Sequence, residues 1–411
     1  MQDPQAPNPS RRRALFTGGA LAAMASTPEL ALADGIRADP RARVTASGAK
    51  ALPEYASWKD RAAMTVHSAN TIELRRSYMG QGALTPIQHL YVRNNLNPPS
   101  EDIVRDPDSW VIEFAGVGKP MRTTLGELKR IDVASVAMVL QCSGNGRGYF
   151  PHKPSGTQWR EGAAGCVVFT GVPLKSVAAA LGGVASGMKY VTGTGGEPLP
   201  AGVDRNTVVV ERSIPISALD DALLAWELNG EPLPLAHGGP LRLVVPGYMG
   251  VNHIKYVKQL AFTAEQSAAK IQQTSYRFTP VGVKGSPSAP SLWEVPVNSW
   301  ITTPYGHEAP ARAGRVQIGG LAFGGFSPLT GVEVSIDDGR TWQTARLFGP
   351  DLGRYAWRHF TLPVDLASGT YRIASRATNA RGDVQPRERI ENERGYNNNS
   401  WLDRSLELTV A

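Results

Sequence analysis

The chain has 411 residues, 42% of them hydrophobic, with 43 Lys and Arg against 36 Asp and Glu for a formal net charge of +7. That length supports two or three domains with real cores and excludes a disordered tail, a collagen or a small stapled scaffold. Two cysteines allow at most one disulfide and no four-cysteine zinc site, no Cys-x-x-Cys-His string is present to attach a c-type haem, and the charge is too dilute for a nucleic-acid footprint.

At the N-terminus, Ser10-Arg11-Arg12-Arg13 precedes a Gly- and Ala-softened apolar run from Ala14 to Ser26, and Ala31-Leu32-Ala33 supplies small residues for cleavage. The run falls short of the roughly 20 residues a membrane span needs, so residues 1–33 read as a twin-arginine signal peptide. This places the mature protein in the periplasm, without a membrane span. Residues 34–80 are mixed and weakly periodic, as expected of a partly ordered N-terminal arm. Farther on, Trp110–Phe114, Val136–Leu140, Cys166–Phe169 and Leu241–Val245 predict strands. Between them, Pro173 opens a helical run through Leu174, Val177 and Leu181, and Ser217 with Asp220 caps a second helix that Asn229-Gly230 ends. Residues 81–279 therefore read as a mixed α+β domain. After the Pro- and Ser-rich stretch from Pro280 to Pro296 the helical signals stop. Val316–Ile318, Val332–Ile336, Thr341–Ala345, Trp357–Phe360, Tyr371–Ala374 and Leu406–Val410 alternate as short strands, with a turn at Asp338-Gly339. Residues 280–411 thus predict an antiparallel β-sandwich of immunoglobulin type.

The chemistry concentrates in Gln141-Cys142-Ser143-Gly144-Asn145-Gly146-Arg147, which follows directly on an apolar strand. A thiol where a strand enters a Gly-rich loop is held rigidly yet faces an opening, which suits a metal ligand or a nucleophile. Arg147 puts a positive charge close in sequence and favours the thiolate. An inert core cysteine fits the same placement. Cys166, within an apolar strand, reads as core filler, and Phe169 either as an aromatic wall of a site or as an ordinary core residue. An oxidising compartment would also allow Cys142 and Cys166 to pair.

Cys142-Ser-Gly-Asn-Gly-Arg147 closely resembles the cysteine loop of the sulfite oxidase family of molybdenum enzymes, which reads Cys-Ala-Gly-Asn-Arg-Arg in many members. Further segments match in the family's order. Leu90-Tyr-Val-Arg-Asn-Asn95 is similar to its Arg-Asn-His segment, and His237-Gly-Gly-Pro-Leu-Arg242 to a stretch that contacts molybdopterin. His253-Ile-Lys255 matches a pterin-contacting triplet, Ser275-Tyr-Arg277 falls at the active-site tyrosine, and Asn392-Glu-Arg-Gly395 with Asn398-Asn-Ser-Trp401 falls at a C-terminal substrate arginine. The resemblance implies Cys142 as molybdenum ligand and a molybdenum-molybdopterin cofactor held by Tyr91, Val92, Arg93, Asn94, His237, Arg242, His253, Ile254 and Lys255. Arg93, Arg147 and Arg394 would converge on an oxyanion, with Tyr276 and Asn95 beside it. It further implies oxidation of sulfite to sulfate, with electrons passed singly to a c-type cytochrome; the alternatives are a same-family enzyme acting on sulfane sulfur, nitrate or a sulfoxide, or a non-enzymatic exported binding protein. Without a haem or cluster motif on this chain, that cytochrome is a separate partner, and the assembly is a homodimer or a heterodimer with a cytochrome subunit. Two departures stand out. Asn95 replaces a histidine, so the position hydrogen-bonds but cannot titrate near neutral pH, and Gly146 replaces a common arginine.

Overall fold

The computed structural model describes residues 50–305 and 311–411, so the expected signal peptide and residues 34–49 of the arm lie outside the described residues. Strands β1 (Met64–Ser68), β2 (Thr71–Leu74) and β3 (Val92–Arg93) form an antiparallel sheet, pairing Thr71 with Arg93 and Ile72 with Val92. The arm expected to be partly ordered is ordered over β1 and β2. Its Ala56, Ala63, Met64, Ile72 and Leu74 are buried in one cluster with Val139 and Cys166. Strands of five and four residues are too short to show a clear period in sequence, which is why the segment looked irregular.

Two five-stranded sheets make the next layer. In chain order their strands are β4 (Val111–Ala115), β5 (Met121–Thr124), β6 (Ala134–Gln141), β7 (Ala164–Pro173), β8 (Tyr190–Gly195), β9 (Glu211–Pro215), β10 (Leu223–Leu228), β11 (Glu231–Pro232), β12 (Arg242–Val244) and β13 (Val257–Thr263). One sheet runs β11-β10-β7-β6, with β12 also on β10, and the other runs β5-β4-β13-β8-β9, where β4 and β13 are parallel. The helix expected after Pro173 forms over Leu174–Ala180 and buries Leu174, Val177 and Ala178. The second expected helix does not form. A 3-10 turn over Ile216–Asp220 leads straight into β10, which pairs with β7 on one edge and with β11 and β12 on the other. Five of the six β10 residues are buried, and burial on both faces overrides the helical preference of its Leu, Ala and Glu. Asn229 and Gly230, with φ of 53° and 82°, are the two turn residues of the β10–β11 hairpin and not a helix cap.

The remaining strands are β14 (Asn298–Thr303), β15 (Gly314–Phe323), β16 (Leu329–Ser335), β17 (Gln343–Thr344), β18 (Arg346–Phe348), β19 (Arg358–Leu366), β20 (Gly369–Asn379) and β21 (Leu406–Val410). They form two antiparallel four-stranded sheets, β14-β15-β19-β18 and β17-β16-β20-β21, with Ile318, Val332, Val334, Phe360, Ile373 and Leu408 in the core between them. This is the immunoglobulin-type sandwich expected from the alternation. Its Trp300, Leu321, Phe323 and Trp357 pack into the same cluster as Val139 and Cys166, so the sandwich buttresses the β6–β7 hairpin. Among the described residues no helix is long and apolar enough to cross a membrane.

Candidate molybdenum-cofactor site

Strand β6 delivers Cys142 to the end of the β6–β7 hairpin. The Cys142 amide donates to the Ala163 carbonyl at 2.9 Å, and the Asn145 amide then turns back onto the Cys142 carbonyl at 3.0 Å. Both cysteines are free, and Cys142, 8% exposed, borders a cavity open to solvent. Cys166 points the other way into the core, where burial raises its thiol to about 12. Ten of the residues expected at the site line this one cavity: Tyr91, Arg93, Asn94, Asn95, Cys142, His237, Arg242, His253, Lys255 and Tyr276. Ser143, Glu197 and Val210 line it as well.

Four expected residues lie elsewhere, and three arginines do not meet in the cavity. Arg147 is 6% exposed, and its guanidinium donates to the Arg394 carbonyl at 2.8 Å and the Thr157 carbonyl at 3.0 Å while resting 5.3 Å from the Tyr396 ring. These carbonyls, with Gly144 and Gly156 against the guanidinium, hold it behind the cavity wall. The cation that faces Cys142 is Arg93 instead. Its burial is outweighed by Tyr276, Cys142, Tyr396 and Tyr91, which keep the guanidinium firmly charged. Arg394 is exposed beside Tyr396, whose ring stacks 5.3 Å from that of Tyr276. Val92 and Ile254 bury their side chains in the core, leaving only backbone for any contact with a ligand.

The mouth is formed by Arg93, Tyr276 and the exposed Asn95, with Arg93 Nη2 donating to the Tyr276 hydroxyl at 3.3 Å. Tyr276 has φ of 51°, a left-handed conformation that a bulky side chain adopts only where its surroundings impose it. Deeper in, Lys255 Nζ donates to Asn94 Oδ1 at 2.5 Å and to the Ala236 carbonyl at 2.6 Å. Its stem crosses Gly238, where a Cβ would come within 2.7 Å of Lys255 Cγ, so the His237-Gly-Gly-Pro turn needs that glycine. Arg242 Nη1 donates to the His237 carbonyl at 2.8 Å and the guanidinium lies 5.5 Å from the ring of Phe169, a buried core residue behind the cavity lining. His253 is turned to the protein on both sides, since Nδ1 accepts from the Val245 amide at 3.2 Å and Nε2 lies 3.0 Å from the Tyr248 carbonyl.

The electrostatics of this floor are one-sided. Burial lowers Lys255 well below the usual lysine range, Arg242 to about 10 and His253 to about 3, and holds His237 well below its ordinary value. A single carboxylate, Glu197, faces them, and its own burial raises it to about 7. Arg242 Nε, Ser143 Oγ and Glu197 Oε2 are buried on the cavity wall with no protein partner. Basic groups held short of their charge for want of a counter-ion, beside orphaned polar atoms, fit an anionic, heteroatom-rich ligand, and a pterin bearing a phosphate and two thiolates is one. The residues present therefore fit a molybdopterin, with Cys142 as the protein thiolate for the metal. Among the described residues no three His, Cys, Asp or Glu side chains cluster, so the rest of the metal's ligands would come from the cofactor.

The oxidoreductase molybdopterin binding domain family matches residues 99–271, and the Mo-co oxidoreductase dimerisation domain family matches residues 289–408. Sulfite oxidase of Gallus gallus is 32% identical over 339 residues, covering 77% of this chain and 72% of its own length. The chain belongs to the sulfite oxidase family. Mitochondrial sulfite oxidase of Homo sapiens is 33% identical over 339 residues, and there the chain spans about 60% of the relative's length. The crystal structure of the sulfane dehydrogenase SoxCD from Paracoccus pantotrophus superposes with a TM-score of 0.68 at 26% identity, covering 84% of this chain and 89% of that one.

Within this family frame, the departure at Gly146 has a local cause. Its φ is 87°, and a Cβ there would meet Asn398 Cβ at 2.9 Å. Two residues of the site carried little sequence signal. Glu197 follows Gly195-Gly196 at the end of β8, a charged residue after a strand-ending glycine pair. Lys59 sits in the irregular N-terminal stretch and meets His237, 178 residues away, with Nζ 3.0 Å from Nε2.

Proposed function

We propose that the protein is a periplasmic molybdenum-dependent dehydrogenase that oxidises sulfite to sulfate and passes electrons singly to a c-type cytochrome. The observation that carries this reading is the meeting, in one cavity, of a thiol at a strand end, an arginine–tyrosine pair at the mouth and a buried cationic floor. When bound, the molybdenum-pterin group supplies oxygen-atom transfer and stores two electrons. Cys142 holds the metal. Lys255, Arg242 and His237 hold the pterin and its phosphate. Arg93 binds a substrate oxygen by charge-assisted hydrogen bonds, and Tyr276, held by Arg93 and by the Tyr396 ring, orients that oxygen. Asn95 donates or accepts at the mouth without changing charge. The Arg11–Arg13 cluster supports export by the twin-arginine route, and the match to a dimerisation family supports a dimer.

The arginine placement supports a second reading, in which the substrate is a sulfane sulfur carried on a larger molecule. Only Arg93 of the three expected arginines lines the cavity, and a substrate with less charge than sulfite needs fewer cations. Molybdenum-loaded enzyme given sulfite and oxidised cytochrome c should reduce the cytochrome. Absence of turnover with sulfite, together with turnover of a persulfide-bearing peptide, would replace the first reading by the second, and no turnover with either would remove both.

A further inference from the structure

Lys59 is a buried cation outside both matched family segments, 3% exposed and with no carboxylate among its contacts. Nζ donates to the Ile87 carbonyl at 2.9 Å and to the Leu90 carbonyl at 2.7 Å, and it lies 3.0 Å from His237 Nε2. Burial lowers Lys59 to about 7, and below that pH it is an ammonium with three N–H bonds. Two carbonyls use two of them, and the third points at an imidazole nitrogen, which must then present its lone pair. The ring proton of a neutral His237 is thereby placed on Nδ1. That nitrogen makes no hydrogen bond to the described residues and is not among the sealed, unpartnered atoms, while the residue itself borders the cavity.

We propose that Lys59 is a positioning residue that fixes His237 as the Nδ1–H tautomer, so that the ring offers the cavity a hydrogen-bond donor. A donor suits the oxygens and ring nitrogens of an anionic pterin, and this step rests on the cofactor reading above. The same contacts lock the ring in place. Trp58 stands edge-on to the imidazole with centroids 6.0 Å apart, and the Lys59 ammonium lies 4.4 Å from the Trp58 ring. The carbonyls of Ile87 and Leu90 belong to the turn that leads into β3 and Arg93, so one ammonium ties the His237 turn to the substrate arginine's strand. Metal-binding histidines are oriented in this way by the partner of their far nitrogen, and here the ligand would be the pterin.

The test is nitrogen NMR of the full protein with 15N-histidine, in molybdenum-free and loaded forms, using a His237→Asn variant to assign the signal. At pH 6, where Lys59 is an ammonium, wild type should show Nδ1 protonated and Nε2 bare. In Lys59→Met the stem is kept and the ammonium removed, so nothing donates to Nε2, and the Ile87 carbonyl, which already favours a protonated ring, is free to hold a proton there. The tautomer should switch, and molybdopterin retention should fall about 10- to 100-fold. Met relieves a buried charge but strands the Leu90 carbonyl, so these effects oppose in the melting temperature, and the tautomer is the readout that separates positioning from a merely structural role. An unchanged tautomer in Lys59→Met, or Nε2 protonation in wild type, overturns the proposal. A correct tautomer in wild-type protein that takes up no molybdopterin would leave Lys59's effect on the ring intact and overturn the cofactor reading instead. If Lys59→Met does not fold, the wild-type spectrum alone still decides the tautomer.

Discussion

Arg93 and Arg147 look equivalent in sequence, each beside a motif, yet their surroundings give them different work. Arg93 points into the cavity toward the Tyr276 hydroxyl, so Arg93→Met should leave stability nearly unchanged and raise KM for sulfite by roughly 10- to 150-fold, the equivalent of about 1.5–3 kcal/mol. Arg147→Met should do the reverse. It strands the carbonyls of Arg394 and Thr157, so we expect a loss of about 1.5–3 kcal/mol in thermal or denaturant unfolding, with a smaller effect on KM. Unchanged stability and a large KM rise in Arg147→Met would return that side chain to the substrate site. The motif strings were legible because they are local. The direction of the Arg147 guanidinium was not, because it is set by a carbonyl 247 residues away. The same logic applies to Gly146→Arg, which restores a residue common in the family. With φ of 87° and Asn398 in van der Waals conflict, it should cost about 1–3 kcal/mol in unfolding experiments.

At the scale of elements, the N-terminal sheet controls the cysteine loop. Glu73 in β2 accepts from the amides of Arg160 at 2.7 Å and Gly162 at 3.0 Å, and its other oxygen lies 2.6 Å from His67 Nε2. The same segment supplies the Arg160 and Trp159 carbonyls that receive the amides of Gly146 and Gly148. Glu73→Ala therefore leaves one buried and one part-buried amide unpaired, with an expected cost of about 2 kcal/mol. Amide exchange should show the loss of protection concentrated in residues 142–148, with β20 of the sandwich little changed, and a uniform loss would count against this coupling. None of this was readable from the sequence, where β1 and β2 were too short to show a period. The long strands β6, β7, β15 and β20 were legible because many residues repeat their pattern. Strand β10 was misread because Leu-Leu-Ala-Trp-Glu-Leu is compatible with either structure, and burial from both edges decided the outcome.

For the whole molecule, the notable quantity is the positive charge enclosed by three packed layers. Burial lowers Lys59 to about 7 and Lys255 well below the usual lysine range, while both regain ordinary values near 10.4 when the chain unfolds. Above pH 7 the unfolded chain thus holds more protons than the folded one, and the unfolding free energy rises with pH. Each such group contributes up to about 1.4 kcal/mol per pH unit while it titrates. Below pH 7 the sign is mixed. Glu197, raised to about 7, makes stability fall as pH rises above about 4.3, whereas His253, lowered to about 3, makes it rise up to about 6.5. From pH 7 to 8 the lysines dominate, because Cys166, raised to about 12 in the fold, opposes them only above about 8, and Arg212, lowered to about 9, titrates higher still. A bound anion favours their charged forms and returns their folded values toward 10.4, which removes the slope. The melting temperature of molybdenum-free protein should therefore climb from pH 7 to 8, while that of loaded protein stays nearly flat over the same interval. Parallel curves for the two forms would mean that the lysines do not face the bound group, and the cationic floor would then need another ligand to account for it.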